Sequence, residues 1–493
     1  MPIQTKVFTI QFYESSSNAI CYGDKMKIIC IIGAGPSGLF CAHKILSEYS
    51  SKACKEDFRI VIIERGEKPS SRSCPGVVDG VCKKCDSCAI LSGGGGAGLF
   101  SDGKIIQDLN VGGHNDTVFA LPEEEKSDYI SYITQTLVSH DGVSTFKEKP
   151  SKEIQWNYNR KFSSVNLNAK YYSVRHMGSS NLAHILEGFI GELTNFSSVD
   201  IKYTTTVTCI AGSGNKYNVY SNDKLICTAD YVVMAIGKSG ASWLKETLLP
   251  LGVHFNKTGY YFGLRIEVPQ RYLSPLSALS FDPKIYREVD AGRKIKMHCF
   301  CRKGNVVMTN YEDCVVVGGH SPFTENNSPF NEEEYGNFNV LLSYPRTSDY
   351  KILLNRFRSA TNNSLMVQTF GDFKACKTPE TQNNPAYDRI NQNQAGNIRT
   401  TINDEFFSEK FIEFIHSLNQ IFPGVGDDNN LLYGPAFEWC MDTVDVSKYM
   451  ETSIPNLFAI GDGAGLSQGI MYSAATGVIA AKCIIERMNS DET

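Results

Sequence analysis

Residues 27–46 constrain this chain more than any other segment. Lys27-Ile-Ile-Cys-Ile-Ile runs into Gly33-Ala-Gly35-Pro36-Ser37-Gly38, and a helix-compatible stretch follows from Leu39 to Leu46. A short, continuously apolar run reads as a buried strand, and three glycines at G-x-G-x-x-G spacing let the chain turn sharply at its end. Gly33 permits the tight turn, Gly35 lets backbone approach a pyrophosphate, and Gly38 lets the helix pack closely on the strand. The start of that helix offers unpaired N–H groups and partial positive charge to phosphates. Arg59-Ile-Val-Ile-Ile-Glu64-Arg65 reads as a second buried strand ending in an acid that can hold ribose hydroxyls. Strand, glycines, helix, strand and acid, in that order, predict a βαβ dinucleotide-binding unit. Gly212-Ser-Gly214-Asn is the contrast: the third glycine is missing and Tyr217-Asn-Val-Tyr follows instead of a helix, so a hairpin turn is expected.

A second signal sits near the other end. Ser453-Ile-Pro-Asn-Leu-Phe-Ala-Ile-Gly461-Asp462-Gly-Ala-Gly465 predicts a strand that delivers an Asp to the start of a last helix, Gly469 to Met488. In two-domain flavoproteins such a Gly-Asp presents a carboxylate or amide to the ribityl chain and pyrophosphate. The following helix aims its N-terminus at the flavin pyrimidine ring, where negative charge gathers on reduction. A nicotinamide-binding domain has no use for this second motif, so the pair points to FAD rather than NAD.

The rest of the sequence sets bounds. A length of 493 residues allows two or three domains and a large core. Net charge is −5 with no long basic run, which leaves no visible source of attraction to nucleic acid or anionic lipid. Met1 to Ile10 lacks a basic region followed by an apolar core, so no secretory signal is expected. The run Ile28 to Leu46 reads as a buried strand and helix, not a transmembrane span, because Pro36 and the glycines interrupt it. Several of the 16 cysteines (Cys30, Cys41, Cys483) fall in core-like segments, where they act as small apolar residues. That usage suits a reducing, cytoplasmic location.

The expected organisation is an α/β fold with a discontinuous, three-layer, Rossmann-like FAD-binding domain and an inserted α+β substrate domain. Residues 1–26 form an N-terminal extension, in which Lys6 to Tyr13 alternate like an edge strand. Residues 27–114, 171–245 and 430–493 make up the FAD domain. Residues 115–170 form an inserted helical or irregular segment, and 246–429 the substrate or cap domain. Asp230-Tyr-Val-Val-Met-Ala235-Ile-Gly237 reads as a further buried strand of the first domain, and Gln382 to Asn397 as an exposed polar loop.

At this point the chain resembles a known family. Gly33 to Gly38, Gly94-Gly-Gly-Ala-Gly98-Leu-Phe-Ser101-Asp-Gly-Lys104, Arg175-His-Met-Gly-Ser-Ser-Asn-Leu182 and Ala235 to Leu244 are similar to the little-characterised FAD-dependent dehydrogenases of bacteria and archaea. Val367 to Phe373, Leu432-Tyr-Gly-Pro435 and Gly461 to Ile470 extend the likeness, which spans residues 27 to about 488. The resemblance implies a glutathione-reductase-type FAD domain split around a substrate domain. It places the loop carrying Gly94, Gly98, Ser101 and Lys104 against the flavin. Ser179-Ser180 and Phe370 depart from the family pattern at positions expected to retune the substrate pocket. The candidate cofactor contacts are therefore Gly33, Gly35, Pro36, Ser37, Gly38, Glu64, Arg65, Gly94, Gly98, Ser101, Lys104, Val207, Ala235, Gly237, Gly461, Asp462, Gly469 and Ile470.

Two questions stay open at the level of sequence. Cys74, Cys82, Cys85 and Cys88 could ligate a [4Fe–4S] cluster or Zn²⁺, form a redox-active dithiol, or simply be reduced thiols in a loop. His176, His320 and Lys104 are the candidate acids and bases, and Arg265 is either a contact for an acidic substrate or a salt-bridged residue. The expected function is an FAD-dependent oxidoreductase moving a hydride between a small organic substrate and flavin N5, with NAD(P)H as a transient donor or a redox partner. The alternatives are a flavin monooxygenase or halogenase, and a non-catalytic FAD-binding redox sensor using the cysteines.

Overall fold

The computed structural model describes residues 26–50, 58–76, 81–101, 103–112, 121–140, 144–290, 292–320, 335–362, 364–390 and 393–490. The strand expected at Lys6 to Tyr13 lies outside them.

A five-stranded parallel sheet carries the first domain, in the order Leu457–Ala459, Tyr231–Met234, Lys27–Ile32, Phe58–Ile63, Val199–Lys202. Its strands are nearly continuous apolar runs because both faces are covered. Ile29, Cys30 and Ile31 are fully buried, as are Val232, Val233 and Leu457. At about 25 cal/mol per Å² of apolar surface, each such isoleucine contributes roughly 2 kcal/mol. The helix Pro36–Ser50 packs along the carboxy-terminal helix Ile470–Ser490. Contact there is close enough that a Cβ on Gly477 would stand 2.0 Å from the Ser37 carbonyl oxygen. Pro36 occupies the first helical position, where its missing N–H costs nothing. Cys209–Ser213 and Lys216–Ser221 form the expected hairpin about Gly214 and join Lys224–Ala229 in a small antiparallel sheet. The fold is α/β with a Rossmann-type parallel sheet.

The second domain is built on an eight-stranded sheet, ordered Gln394–Ala395, Met366–Thr369, Leu431–Glu438, Tyr260–Pro269, Tyr335–Tyr344, Arg293–Cys301, Lys284–Asp290, Asn168–Lys170. Its strands alternate instead of running apolar throughout. Phe262, Leu264, Ile266, Phe338, Val340, Ile295 and Met297 face a core closed by the helix Glu405–Ile421, whose Phe407, Phe411, Phe414 and Leu418 are buried against them. The intervening residues Arg265, Asn339, His298 and Lys296 share the other face, since successive side chains in a strand point to opposite sides.

Two boundaries differ from the sequence-based expectation because ladder hydrogen bonds ignore local composition. Leu431–Glu438 pairs with Tyr260–Pro269 and with Met366–Thr369, so the chain returns to the first domain after Glu438, not at 430. Asn168–Lys170, within the expected 115–170 insert, forms the edge of the second sheet. The segment from Gln382 includes short 3₁₀ turns whose Ala386 and Tyr387 are buried, so it is not wholly exposed. Among the described residues, no helix is long and apolar enough to cross a membrane.

Candidate cofactor and substrate site

The carboxyl ends of the parallel strands bring the two terminal motifs together. Gly33 follows Lys27–Ile32, Gly237 follows Tyr231–Met234, and Gly461 follows Leu457–Ala459, so all three lie along one edge of the sheet. The chain continues from Lys27–Ile32 to the neighbour on one side and later returns to the neighbour on the other. Such a switch in strand order opens a crevice beyond the strand ends. Gly33 has φ +116° and donates its N–H to Ile63 O at 2.8 Å. Gly461, with φ +79°, sits so close to the first helix that a Cβ there would lie 2.7 Å from Ser37 Oγ. In front of Gly237 and Gly469 a Cβ would meet nothing within 4 Å, so both glycines border open space.

Glu64 ends the second strand and is buried. Its Oε2 accepts from the Ala34 N–H (2.9 Å), and its Oε1 accepts from Gly66 N (2.9 Å) and Gly93 N (3.0 Å). Three of about four acceptor positions on the carboxylate are thus used to fasten the glycine turn to the glycine-rich loop, and one is left for a ligand hydroxyl. That loop lies on the turn itself: Gly95 N donates to Ala34 O at 2.8 Å, and a Cβ on Gly96 would touch Gly35 Cα at 3.0 Å. Gly98 faces the start of the last helix, where its Cβ would meet Ile470 at 3.2 Å. Gly94 packs against Pro69 and Tyr203, and Ser101 Oγ donates to Gly98 O at 2.7 Å. Arg65 ties the loop to the turn after Gly237, donating to Ser92 Oγ and Ser239 Oγ, both at 2.6 Å. Ala235 is buried beside Gly33, and Val207 is buried in the connection after Val199–Lys202.

Arg72, which sequence reasoning passed over, is buried beneath this loop. Its guanidinium donates to the carbonyls of Ala89, Ile90, Gly94 and Gly96 at 2.7–3.1 Å. Burial pulls its proton affinity down to about 10. Five donors in a rigid fork suit a loop whose carbonyls converge, but nothing local in the sequence marks Arg72 for that task.

Asp462 is held by Ser467 Oγ, which donates to its Oδ1 at 2.7 Å, and by the Gly469 backbone. Burial pushes its carboxyl up to about 7. An acid whose affinity for protons rises on folding binds more protons folded than unfolded, so stability falls as the pH rises from about 4 to about 7. The shift from 3.8 to about 7 bounds the loss at roughly 4 kcal/mol. Asp462→Asn should therefore raise the melting temperature of the ligand-free protein at pH 8 and leave it nearly unchanged at pH 4. Equal effects at both pH values would contradict this account of the carboxyl.

The polar face of the second sheet abuts the same region. Gln468 Nε2 donates to Glu438, Lys238 Nζ lies 3.7 Å from Glu438 and donates to Phe437 O at 2.6 Å, and the Glu438 charge reaches Lys296. Lys104 donates to Phe300 O and stands 3.8 Å from Asp282. It therefore joins the glycine-rich segment to the second domain. Asp282 also pairs with Lys284 at 2.8 Å and accepts from Tyr172 OH at 3.0 Å. Although burial opposes its ionisation, Lys284 and Lys104 hold it below the usual carboxylate range.

Lys296, His298 and Cys299 are half-buried, each keeping part of its surface exposed. Burial, reinforced by Lys284, pulls the Lys296 ammonium down to about 7. Burial and the cations Lys284, Lys296, Arg265 and Lys104 hold His298 neutral. Cys299 has φ +52° within the irregular stretch from His298 to Cys301, where the ladder shifts register. A bulge of this kind re-aims side chains. A hydrogen bond from Cys301, with Arg265 and Lys104 nearby, lowers the Cys299 thiol despite burial. At pH 6 iodoacetamide should alkylate Cys299 ahead of Cys82, whose thiol is raised by burial. Peptide mass spectrometry showing Cys82 labelled first would refute that ordering.

Other sequence-based candidates land elsewhere. Arg265 is fully buried and pairs with no carboxylate among the described residues. It donates to Asn337 Oδ1 (2.7 Å), Asn339 Oδ1 (2.9 Å) and Cys299 O (2.7 Å), so it is neither salt-bridged nor open to a ligand. His176 pairs in register with Lys104 and lies against the Phe281 ring at 5.5 Å. The side chains of His320, Ser179 and Ser180 lie outside the described residues. Phe370 is in the core of the second domain, not in a pocket, because its strand–helix junction turns it inward. Among the described residues, which include Cys74, Cys82, Cys85 and Cys88, no group of three or more His, Cys, Asp or Glu is arranged to hold a metal ion. The residues missed from the sequence are Lys296, His298 and Cys299. The alternation Lys296-Met-His298 in a strand was the signal that could have found them.

No protein-family profile matches the sequence, and no curated protein is similar to it. The resemblance to the FAD-dependent dehydrogenases thus has no support from a family profile. Solved structures with similarity include a flavoprotein/dehydrogenase from Cytophaga hutchinsonii (9% identity, TM-score 0.40, covering 94% of this chain and 79% of that one). Others are 2,6-dihydroxypyridine-3-hydroxylase from Arthrobacter nicotinovorans (12%, TM-score 0.41, 94% and 84%) and the amino acid oxidase NikD (11%, TM-score 0.40, 94% and 95%). Similarity at this level assigns neither a reaction nor a substrate to this chain.

Proposed function

We propose that this chain is an FAD-dependent oxidoreductase that moves a hydride between a small organic substrate and the flavin. The observation carrying this reading is the contact between its two ends: Gly461 of the carboxy-terminal Gly-Asp motif lies against Ser37 of the G-x-G-x-x-G helix start. One dinucleotide can then be held at its pyrophosphate by the first motif and along its sugar chain by the second, whereas a nicotinamide nucleotide would use only the first.

The residues present fit FAD. The free backbone N–H groups at the start of Pro36–Ser50 would meet the pyrophosphate, and the remaining acceptor position of Glu64 would take a ribose hydroxyl. Asp462 and the open approach at Gly469 would face the ribityl chain, and the N-terminus of Ile470–Ser490 would face the ring. Bound FAD supplies reversible two-electron chemistry. The protein's part is to orient the substrate and shield it from water. Lys238, Glu438 and Gln468 bind the end of the second sheet to the start of the last helix, and so hold the substrate face against the cofactor face.

Absorption spectroscopy of the purified protein tests the proposal. Twin bands in the near-ultraviolet and blue, bleached anaerobically by NADH, NADPH or another two-electron donor, are expected. A colourless protein that does not take up FAD on reconstitution would sink it.

A further inference from the structure

The polar face of the second sheet carries more positive charge than its own carboxylates balance. Arg265, Asn339 and His298 stand in one row across three strands. Tyr286 pairs with Lys296 in an antiparallel ladder, so Lys284, two residues earlier, comes opposite His298. Asp282 serves both Lys284 and Lys104, and Glu438 is engaged by Lys238 and Gln468. Arg265 is surrounded by neutral acceptors and lies under Gly319. Among the described residues, Lys296 has no carboxylate within ion-pair distance; its Nζ rests 3.6 Å from the centroid of the Tyr261 ring. His298 Nδ1 is buried and has no hydrogen-bond partner among the described residues.

A buried nitrogen without a partner and a surplus of cations are both costly in a folded protein, and such costs persist where another species completes the site. The nearby Glu438 carboxylate is already engaged by Lys238 and Gln468, so the groups left on this face, an ammonium and an imidazole, are not matched to a cation or a metal ion. They would satisfy negative oxygen atoms instead.

We infer that Lys296 and His298 form the binding site for an oxyanion group, a carboxylate or a phosphate, carried by the substrate. Lys296 supplies the countercharge and His298 a ring N–H, while buried Arg265 and the Lys104–Asp282–Lys284 cluster sustain the positive field. This assignment rests on the proposal that the adjoining crevice holds the flavin, since it is that neighbour that makes the bound anion a substrate. Placement supports it: Glu438 connects the Lys296 wall with Gln468, two residues ahead of the last helix.

Titration of the full-length protein as isolated, followed by calorimetry and by flavin difference spectra, provides the test. The probes are succinate, inorganic phosphate and the neutral analogue succinamide. Saturable binding of at least one anion, with none for succinamide, is expected. The affinity should fall by about tenfold or more in Lys296→Met and in His298→Gln, and recover partly in Lys296→Arg. The melting temperature and flavin content of each variant separate lost binding from lost folding. Wild-type affinity in Lys296→Met, or no saturable binding of either anion, would overturn the inference, and the anion preferred distinguishes a carboxylate from a phosphate substrate. A flavin-free protein that binds an anion through Lys296 would retain this site while sinking the flavoprotein reading. A yellow protein indifferent to both anions would do the reverse.

Discussion

Gly33→Ala should leave a protein that neither reaches wild-type stability nor retains flavin. The new Cβ would stand 2.2 Å from the Ala235 carbonyl oxygen, a backbone atom that cannot swing aside. Position 33 also has φ +116°, which L-residues rarely adopt. Relief would require the turn to leave Lys27–Ile32 or Ala235 to move, although Ala235 N is itself bonded to Ile32 O at 2.9 Å. Strain plus overpacking at such a point costs more than about 3 kcal/mol. The informative control is Gly212→Ala, in the glycine-containing hairpin that lacks a following helix. A Cβ there meets nothing within 4 Å, so a change within about 0.5 kcal/mol is expected. Denaturant midpoints and flavin absorbance of the two variants give the comparison. Similar behaviour of both would mean that Gly33 is an ordinary surface glycine.

Arg265→Leu should be about as damaging, through a different cause. The guanidinium is the donor for Asn337 Oδ1, Asn339 Oδ1 and Cys299 O, and leucine would leave two buried amide oxygens and a partly buried carbonyl without it. Relief of a buried charge works in the opposite direction. Even so, unpaired buried acceptors at about 1–3 kcal/mol each make a net loss of roughly 3–5 kcal/mol the expected result. Cys299 should react more slowly at pH 6 in the same variant, because one of the positive charges that lower its thiol is gone while the Cys301 hydrogen bond and Lys104 remain. Gly319 supplies an independent check, since its Cβ would fall 1.4 Å from Arg265 Nη2. Gly319→Ala should be severe in the wild-type background and milder in Arg265→Leu, where that contact is relieved. Urea unfolding of the two single variants and the double variant measures the coupling. Strict additivity would show that the two groups do not touch.

The first βαβ unit was legible because its requirements are local. A strand, a turn with positive φ, a helix start and an acid all lie within forty residues, and each leaves a residue-type signature. The Gly461-Asp462 motif was legible for the same reason. Arg72 went unnoticed and Arg265 was given the wrong partners, because an arginine satisfied by neutral carbonyl and amide oxygens looks in sequence like any other arginine. Arg72 gathers carbonyls from residues 89–96, and Arg265 reaches positions 299, 337 and 339. The four-cysteine run was left open by its spacing, which suits a metal site, a dithiol or plain thiols alike, and among the described residues no group is arranged to hold a metal ion. Strand membership failed at Leu431–Glu438 and Asn168–Lys170 because a strand's sheet is chosen by its pairing partners, which lie far away in sequence.

By itself, then, the amino-acid order determined the parallel sheet, its glycine turn, the acid at the second strand end and the returning Gly-Asp, because glycine sterics and apolar runs act over a few residues. Only the tertiary structure decided that Gly461 meets Ser37, and that Lys284, Lys296 and His298 share one sheet face beside a buried arginine without a carboxylate partner. Charge balance and close approach depend on which distant segments pack together, and the packing of two whole domains makes that choice.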